Sequence, residues 1–406
     1  MAYFFSLVAR PIVYILALGM MITTICAVSS CQAQSDSGHR VIPGAYQLEK
    51  YTDHLRGQRV GVVVNHTSFV GDTHLVDLLD SIGIDIRFIF APEHGFLGTA
   101  YNGEKVADGV YLDRIPIRSL YGSSKKPVAK DMQELDVILF DIQDVGARFY
   151  TYISTLHYVM EAAAEHDVEV IILDRPNPNG HYIDGPVLDP EYTSFVGMHP
   201  VPVVYGMTIG EYGRMINGEN WLFQGKKAAL TVVPIRGYDH QTLYSLPIAP
   251  SPNLPNDLSI ALYPSLCFFE GTSVSAGRGT DMQFQVYGHP DFSDRGFSYT
   301  PRSMSSSKYP KHQDRLCHGV DLRTRTVEQL RGQGRLDLSH LLRAYSELAL
   351  RDDNFFLKSG FIHKLAGTDR LQHQIESGLT EEEIRASWQA ELAKFRTVRS
   401  KYLLYP

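Results

Sequence analysis

Apolar runs bounded by polar clusters set the rhythm of the chain from residue 59 onward. Val60-Gly61-Val62-Val63-Val64 is a continuous, mostly β-branched stretch, the pattern of a strand buried on both faces, and it ends in Asn65-His66-Thr67. Asp72 then opens a predicted amphipathic helix with apolar positions at Leu75, Val76, Leu78 and Leu79. Further strands are predicted over 84–90, 137–140 and 169–173. They deliver the polar segments Pro92-Glu93-His94-Gly95, Asp141-Ile142-Gln143-Asp144 and Asp174-Arg175-Pro176-Asn177. A helix is expected over 150–166, another from Thr208, and a strand over 228–233. Such alternation predicts an α/β fold with a mostly parallel sheet covered on both sides. Ligands of such sheets bind where the loops converge, at the carboxyl ends of the strands. One polar strand end is unremarkable, but four in succession are the main functional signal in the chain.

The pattern changes around 246–255, rich in proline and asparagine, which marks an expected crossing between domains. Beyond it lie the glycine-rich 271–280 loop, a stretch of mixed α and β character, and a last amphipathic helix near Thr380 with Glu381-Glu382-Glu383 in its first turn. The expected organisation is a signal and linker over 1–34, an α/β domain over 40–247 and a smaller α+β domain over 248–406. Two domains suit 406 residues. A net charge of -7 argues against a nucleic-acid partner.

The N-terminus reads as an export signal: Arg10, an apolar run over 12–28, then small residues. Val28-Ser29-Ser30-Cys31 resembles a bacterial lipoprotein box, which would make Cys31 the lipidated first residue and the only membrane attachment. Cleavage near Ala33 and a retained anchor are the alternatives. The expected location is exported and periplasmic. Of four cysteines, Cys267 and Cys317 remain after such processing. Their spacing matches no metal motif, and two isolated buried thiols are expected rather than a disulfide.

Several chemistries are excluded by what the strand ends lack. No Gly-x-Gly-x-x-Gly turn, Walker segment, Gly-x-Ser-x-Gly elbow or His-Glu-x-x-His helix occurs, so neither a cofactor nor a metal is expected. Carboxylates remain. Glu93 follows a buried strand and has no evident structural task. Glu104 lies eleven residues on, across a glycine-rich loop, although beside Lys105 it could equally be a surface ion pair. Glycoside hydrolysis commonly uses such a pair, one protonating the leaving oxygen and the other serving as base or nucleophile. The segment from Asp141 to Tyr152 offers acids, an amide, a guanidinium and phenols suited to sugar hydroxyls; the plain alternative makes Asp144 a helix cap partnered by Arg148. Asp174-Arg175-Pro176-Asn177 mixes turn chemistry with a ligand-facing option. Arg278 could bind a carboxylate across a cleft or merely brace its loop.

Asn65-His66-Thr67, Pro92-Glu93-His94-Gly95-Phe96, Gly103-Glu104, the Asp141–Tyr152 run, Asp174-Arg175-Pro176-Asn177-Pro178, Ser251-Pro252-Asn253-Leu254-Pro255, Glu270-Gly271-Thr272 and Gly277-Arg278-Gly279-Thr280 together resemble one family. It is the bacterial exo-β-N-acetylmuramidases, glycoside hydrolase family 171. The resemblance implies a Rossmann-like domain, a smaller C-terminal domain and an active-site cleft between them. It also implies release of N-acetylmuramic acid from the non-reducing ends of peptidoglycan fragments. Carried over, Glu93 and Glu104 become the catalytic candidates. Asn65, His66, His94, Asp141, Gln143, Arg148, Tyr150, Asp174, Arg175, Asn177 and Arg278 become substrate-wall candidates. The lactyl carboxylate of muramic acid gives Arg148, Arg175 or Arg278 a natural partner. A two-carboxylate route and participation by the substrate's own N-acetyl group are both compatible with the residues. Another cell-wall hydrolase and a non-catalytic cell-wall binding lipoprotein are the competing functions.

Overall fold

A computed structural model describes residues 40–101, 104, 108–122, 124–349 and 355–406. The signal, the lipoprotein box and Cys31 lie outside the described residues. At the centre stands β1 (Arg59–Val64), with β2 (Asp85–Ala91) hydrogen-bonded along one edge and β5 (Val137–Asp141) along the other, both parallel to it. The sheet has seven strands in the order β3-β4-β2-β1-β5-β6-β7. Here β3 is Gly109–Tyr111, β4 is Ile115–Ser119, β6 is Glu169–Leu173 and β7 is Leu230–Val233. Only β3 runs antiparallel to its neighbour. The continuous apolar run of β1 is explained by this position, since helices and loops cover both its faces and five of its six residues are buried. Val137 to Phe140 are likewise buried in β5. Each such side chain contributes roughly 1.5–3 kcal/mol relative to exposure.

Gly61 has a packing reason. A Cβ there would stand 2.9 Å from Leu135 and 3.0 Å from Phe90, so only glycine lets those side chains close over the strand.

The first helix does not open at Asp72. Phe69–Val70 and Thr73–His74 form a small hairpin, and the helix α1 spans Leu75–Ser81. His74 is its cap, with Nδ1 accepting from the Val76 amide while Nε2 faces the Asn65 carbonyl. An imidazole thus does what a short carboxylate usually does at a helix start. Helix α2 (Tyr152–His166) begins two residues later than the pattern suggests, leaving Tyr150 and Thr151 in the turn before it. Helix α3 (Ile209–Gly218) has the full capping box of Thr208 and Glu211.

The C-terminal part carries a three-stranded antiparallel sheet, order β8-β10-β9, from Val286–His289, Ser298–Tyr299 and Cys317–Asp321. Short helices complete it, including Glu381–Ala386 capped by Thr380 as the acidic first turn predicts. One continuous core joins Phe140 and Leu156 of the sheet part to Phe268, Phe284 and Trp388 of the C-terminal part. Among the described residues no helix is long and apolar enough to cross a membrane.

Candidate active site

A cavity of about 570 Å³ opens outside the carboxyl ends of β2, β4 and β5 and is closed on its far side by the C-terminal part. Its size falls in the usual range for small-molecule sites. Strand β2 ends at Ala91, and the next turn brings in Glu93 and His94. The chain after β4 contributes Tyr121 and Lys125, and the turn after β5 contributes Tyr150 and Thr151.

Glu93 is buried, and its Oε2 accepts a 2.8 Å hydrogen bond from the Thr151 hydroxyl. Tyr121 lies close by: burial and then the Glu93 charge push its phenol above its ordinary range. The hydrogen-bond partner of the Glu93 carboxylate is therefore a neutral hydroxyl. His94 holds a left-handed backbone, φ +69°, which is sparsely populated by non-glycine residues. Its Nδ1 lies 2.8 Å from the Ala100 carbonyl, so that nitrogen carries the proton and Nε2 is the acceptor. Burial pushes the ring below its ordinary pKa against the opposing pull of Glu93, which keeps it neutral.

The opposite wall comes from the C-terminal part. Glu270 lies at the end of a short 3-10 turn, Cys267–Gly271, and accepts from Arg278 Nε at 2.9 Å. Arg278 stands between two left-handed glycines, Gly277 (φ +77°) and Gly279 (φ +79°), a turn that side-chain-bearing residues rarely adopt. Lys311 caps the carbonyls of Phe269 and Thr272 at 2.6 Å each. Burial alone would raise the Glu270 carboxyl, but Arg278 and Lys311 outweigh it and hold it below the usual carboxylate range. Two carboxylates thus face one cavity in contrasting surroundings, Glu93 among hydroxyls and Glu270 beside cations, the kind of difference that assigns different roles. Asn253 also lines the cavity; its Nδ2 donates to the Ser306 carbonyl, which fixes the amide orientation and leaves Oδ1 without a partner.

The family models for the N-terminal and C-terminal parts of the exo-beta-N-acetylmuramidase NamZ match residues 60–258 and 261–405. The chain belongs to that family. Peptidoglycan beta-N-acetylmuramidase NamZ of Bacillus subtilis strain 168 is 37% identical over 381 residues, an alignment covering 88% of this chain and 89% of that protein. Two crystal structures of DUF1343 family proteins from Bacteroides fragilis NCTC 9343 share the fold. One has a TM-score of 0.83 at 45% identity and the other 0.73 at 27%, each covering 90% of this chain and 99% of its own. The Rossmann-like sheet, the smaller C-terminal domain and the cleft between them are thus the architecture of this member of the NamZ family too.

The structure gathers only part of the expected constellation in the cavity: Glu93, His94, Tyr150 and Arg278 line it. Tyr150 spends its hydroxyl on the Pro250 carbonyl, 2.8 Å away. Glu104 is placed apart from the lining, with its carboxylate accepting from the Tyr101 amide at 2.9 Å. The remaining candidates are tied up inside the protein. Asp141 and Arg175 form a bidentate pair at 2.5 and 2.8 Å. Asp174 accepts from Thr208, Tyr405 and the Gly210 amide, capping α3 and anchoring the C-terminus; burial raises its carboxyl to about 7. Arg148 donates to the carbonyls of Pro186, Val201 and Leu365, bracing the C-terminal part against the sheet part, and is not the partner of a cap at Asp144. Gln143 bridges the carbonyls of Asp144 and Pro176. Asn177 bonds the Met207 carbonyl and the Asn179 amide. Asn65 organises its own loop through Thr67 and reaches the Tyr152 hydroxyl. His66 donates to the Ala249 carbonyl. None of these eight side chains, nor that of Glu104, is in the cavity wall.

Conversely, Tyr121, Lys125, Thr151, Asn253 and Glu270 line the cavity although nothing in the local sequence marks them individually as site residues. Thr151, Asn253 and Glu270 stand inside the motifs that carry the resemblance, which is the available signal. Tyr121 and Lys125 follow β4, whose Pro116 and Arg118 interrupt the apolar pattern that would announce a strand. Cys267 and Cys317 are both buried and free; burial pushes the Cys317 thiol up to about 12. Among the described residues no three His, Cys, Asp or Glu side chains are grouped so as to hold a metal ion.

Proposed function

We propose that this chain hydrolyses the β-glycosidic bond of a non-reducing terminal N-acetylmuramic acid in peptidoglycan fragments, with Glu93 acting on the scissile bond. The observation that carries this reading is a buried carboxylate at a parallel strand end, held by the hydroxyl of Thr151, in a cavity of sugar size. Membership of the NamZ family supports the choice of sugar. In this reading Glu93 is the proton donor to the leaving oxygen. Neutral His94 beside it adds no competing cation and offers Nε2 as an acceptor to a sugar hydroxyl. Tyr150, Phe149 and Phe195 supply aromatic surface to the sugar ring. Glu270 is the second carboxylate of the cavity in place of Glu104.

The deciding assay compares 4-nitrophenyl β-N-acetylmuramide with the corresponding β-N-acetylglucosaminide. Release of nitrophenol from the muramide alone is expected, and turnover of neither compound would overturn the reading. The anomer of the first-formed product separates the possible routes: direct attack by water yields the α anomer, and a glycosyl-enzyme or N-acetyl-assisted route yields the β anomer.

The proposed place of action is outside the cytoplasm, attached through a lipid at Cys31. The support is the N-terminal pattern of Arg10, apolar run and Val28-Ser29-Ser30-Cys31. Fractionation of cells producing the Cys31→Ala chain is expected to shift the protein from the membrane to the soluble fraction; an unchanged distribution would remove the lipid from the account.

A further inference from the structure

Muramic acid differs from glucosamine by a lactyl ether whose carboxylate is ionised at neutral pH. A cavity that selects the muramide therefore needs a fixed cation with hydrogen bonds to spare. Three arginines occur in the motifs, and the structure separates them. Arg148 is fully buried, with its guanidinium spread over three backbone carbonyls. Arg175 is closed on both oxygens of Asp141. Neither lines the cavity.

Arg278 does line it. It commits Nε to Glu270, and its buried Nη1 has no hydrogen-bond partner. The positioning is tight: the guanidinium lies 5.1 Å from the centre of the Phe284 ring, and Gly277 and Gly279 hold its backbone. An ion pair on one edge with free N–H groups on the other is how an arginine is aimed at a further anion, since the planar fork is held in orientation before that anion arrives. Lys125 is the other cation on the wall. It lies over the Phe195 ring at 4.4 Å, on a flexible stem without such a brace.

We propose that Arg278, held in orientation by Glu270, binds the lactyl carboxylate of the muramic acid residue and so sets the preference for muramides over glucosaminides. The inference rests on the function proposed above and names the residue that reads the substrate's charge. Arg278 is thereby a specificity residue, and Glu270 is the group that positions it.

The test measures kcat/KM of the full chain and of Arg278→Gln, Arg278→Lys and Lys125→Gln on three nitrophenyl glycosides. These are the β-N-acetylmuramide, its lactyl methyl ester and the β-N-acetylglucosaminide. For Arg278→Gln, turnover of the free acid is expected to fall by about 100-fold or more, because a site built to bond a substrate group discriminates strongly through that group. Turnover of the ester is expected to change little, so the acid-to-ester ratio collapses. Arg278→Lys should restore part of that ratio, and Lys125→Gln should keep it. An equal loss on acid and ester, or an intact ratio, would overturn the proposal. So would a ratio that collapses in Lys125→Gln instead. Calorimetric binding of free N-acetylmuramic acid by Glu93→Gln, with and without Arg278→Gln, supplies a readout without turnover. If the unaltered chain cleaves no muramide yet binds N-acetylmuramic acid through Arg278, the proposed reaction fails and the charge recognition stands. If it cleaves the muramide and Arg278→Gln keeps the same preference, the reaction stands and the charge recognition fails.

Discussion

The polar ends of β2 and β6 look alike in sequence, each a strand followed by one acid, a basic residue type and a proline, and the structure puts them to opposite uses. After β6, every prominent side chain finds its partner inside the protein: Asp174 takes four hydroxyl or amide donors and Arg175 closes on Asp141. After β2, Glu93 meets the hydroxyl of Thr151, which belongs to the wall of a cavity, and its carboxylate borders that cavity. What separates a structural strand end from a reactive one is whether the polar groups are fully engaged within the fold. A buried charge with all its bonds made is a brace; one that faces a cavity is available for chemistry.

That contrast is broken most severely by substitutions that exchange the two kinds of loss. Glu93→Gln keeps the shape and an acceptor for Thr151 while removing the ionisable group. Its kcat/KM on the muramide is expected to fall by about 10²–10⁴-fold, the usual contribution of a positioned acid, with the thermal midpoint close to that of the unaltered chain. Arg175→Met should do the reverse. Asp141 is 0% exposed and its partner 5%, so removing the guanidinium strands a buried charge and should cost about 3–5 kcal/mol of unfolding free energy in urea. Activity per folded molecule should change little. If Arg175→Met instead abolishes turnover at unaltered stability, the β6 end belongs to the site after all.

Thr151→Val sharpens the comparison from within the cavity. It conserves volume and deletes the hydroxyl that bonds Glu93. A hydrogen bond to a charged group contributes about 1.5–3 kcal/mol, so a decrease of roughly 10- to 100-fold in kcat/KM is expected if Thr151 positions the carboxylate during reaction. A change confined to KM would make Thr151 a substrate contact instead.

How far the sequence reaches follows the same division. Strands buried on both faces, such as Val60–Val64 and Val137–Phe140, announce themselves because their residues must be apolar wherever they face. Strand β4, with Pro116 and Arg118, and the short strands of the C-terminal sheet carry no such run and are only visible in three dimensions. Glu93 is legible because its position after a buried strand leaves it no structural task. The wall is less so: residue types state which bonds a side chain can make, not whether the partner is protein or ligand. Asp141 and Arg175 are thirty-four residues apart, and their mutual engagement is set by the pairing of β1, β5 and β6, which no local pattern encodes. Glu270 and Arg278 reach the cavity from the other domain, a proximity that only the packing of the two parts creates.

Glu104 gives the smallest expected effect and the finest test of the division. It resembles Glu93 in sequence, an acid in a glycine-rich loop near a strand end. Yet its carboxylate bonds the Tyr101 amide three residues back, and its own amide returns a bond to the Tyr101 carbonyl. The pair of bonds ties Glu104 to Tyr101, a task that glutamine also fulfils because its side-chain carbonyl accepts from the same N–H. Glu104→Gln should therefore leave kcat/KM within about threefold, since surface substitutions away from buried networks usually shift free energies by no more than about 0.5 kcal/mol. Glu104→Pro, which also removes the backbone donor, should act through the loop and depress turnover more than the glutamine does. A loss in Glu104→Gln as large as that in Glu93→Gln would mean that the loop brings this carboxylate over the cavity when substrate is bound. The engagement of Glu104 with Tyr101 would then be a resting arrangement, and the line between brace and reactive group would run through the loop itself.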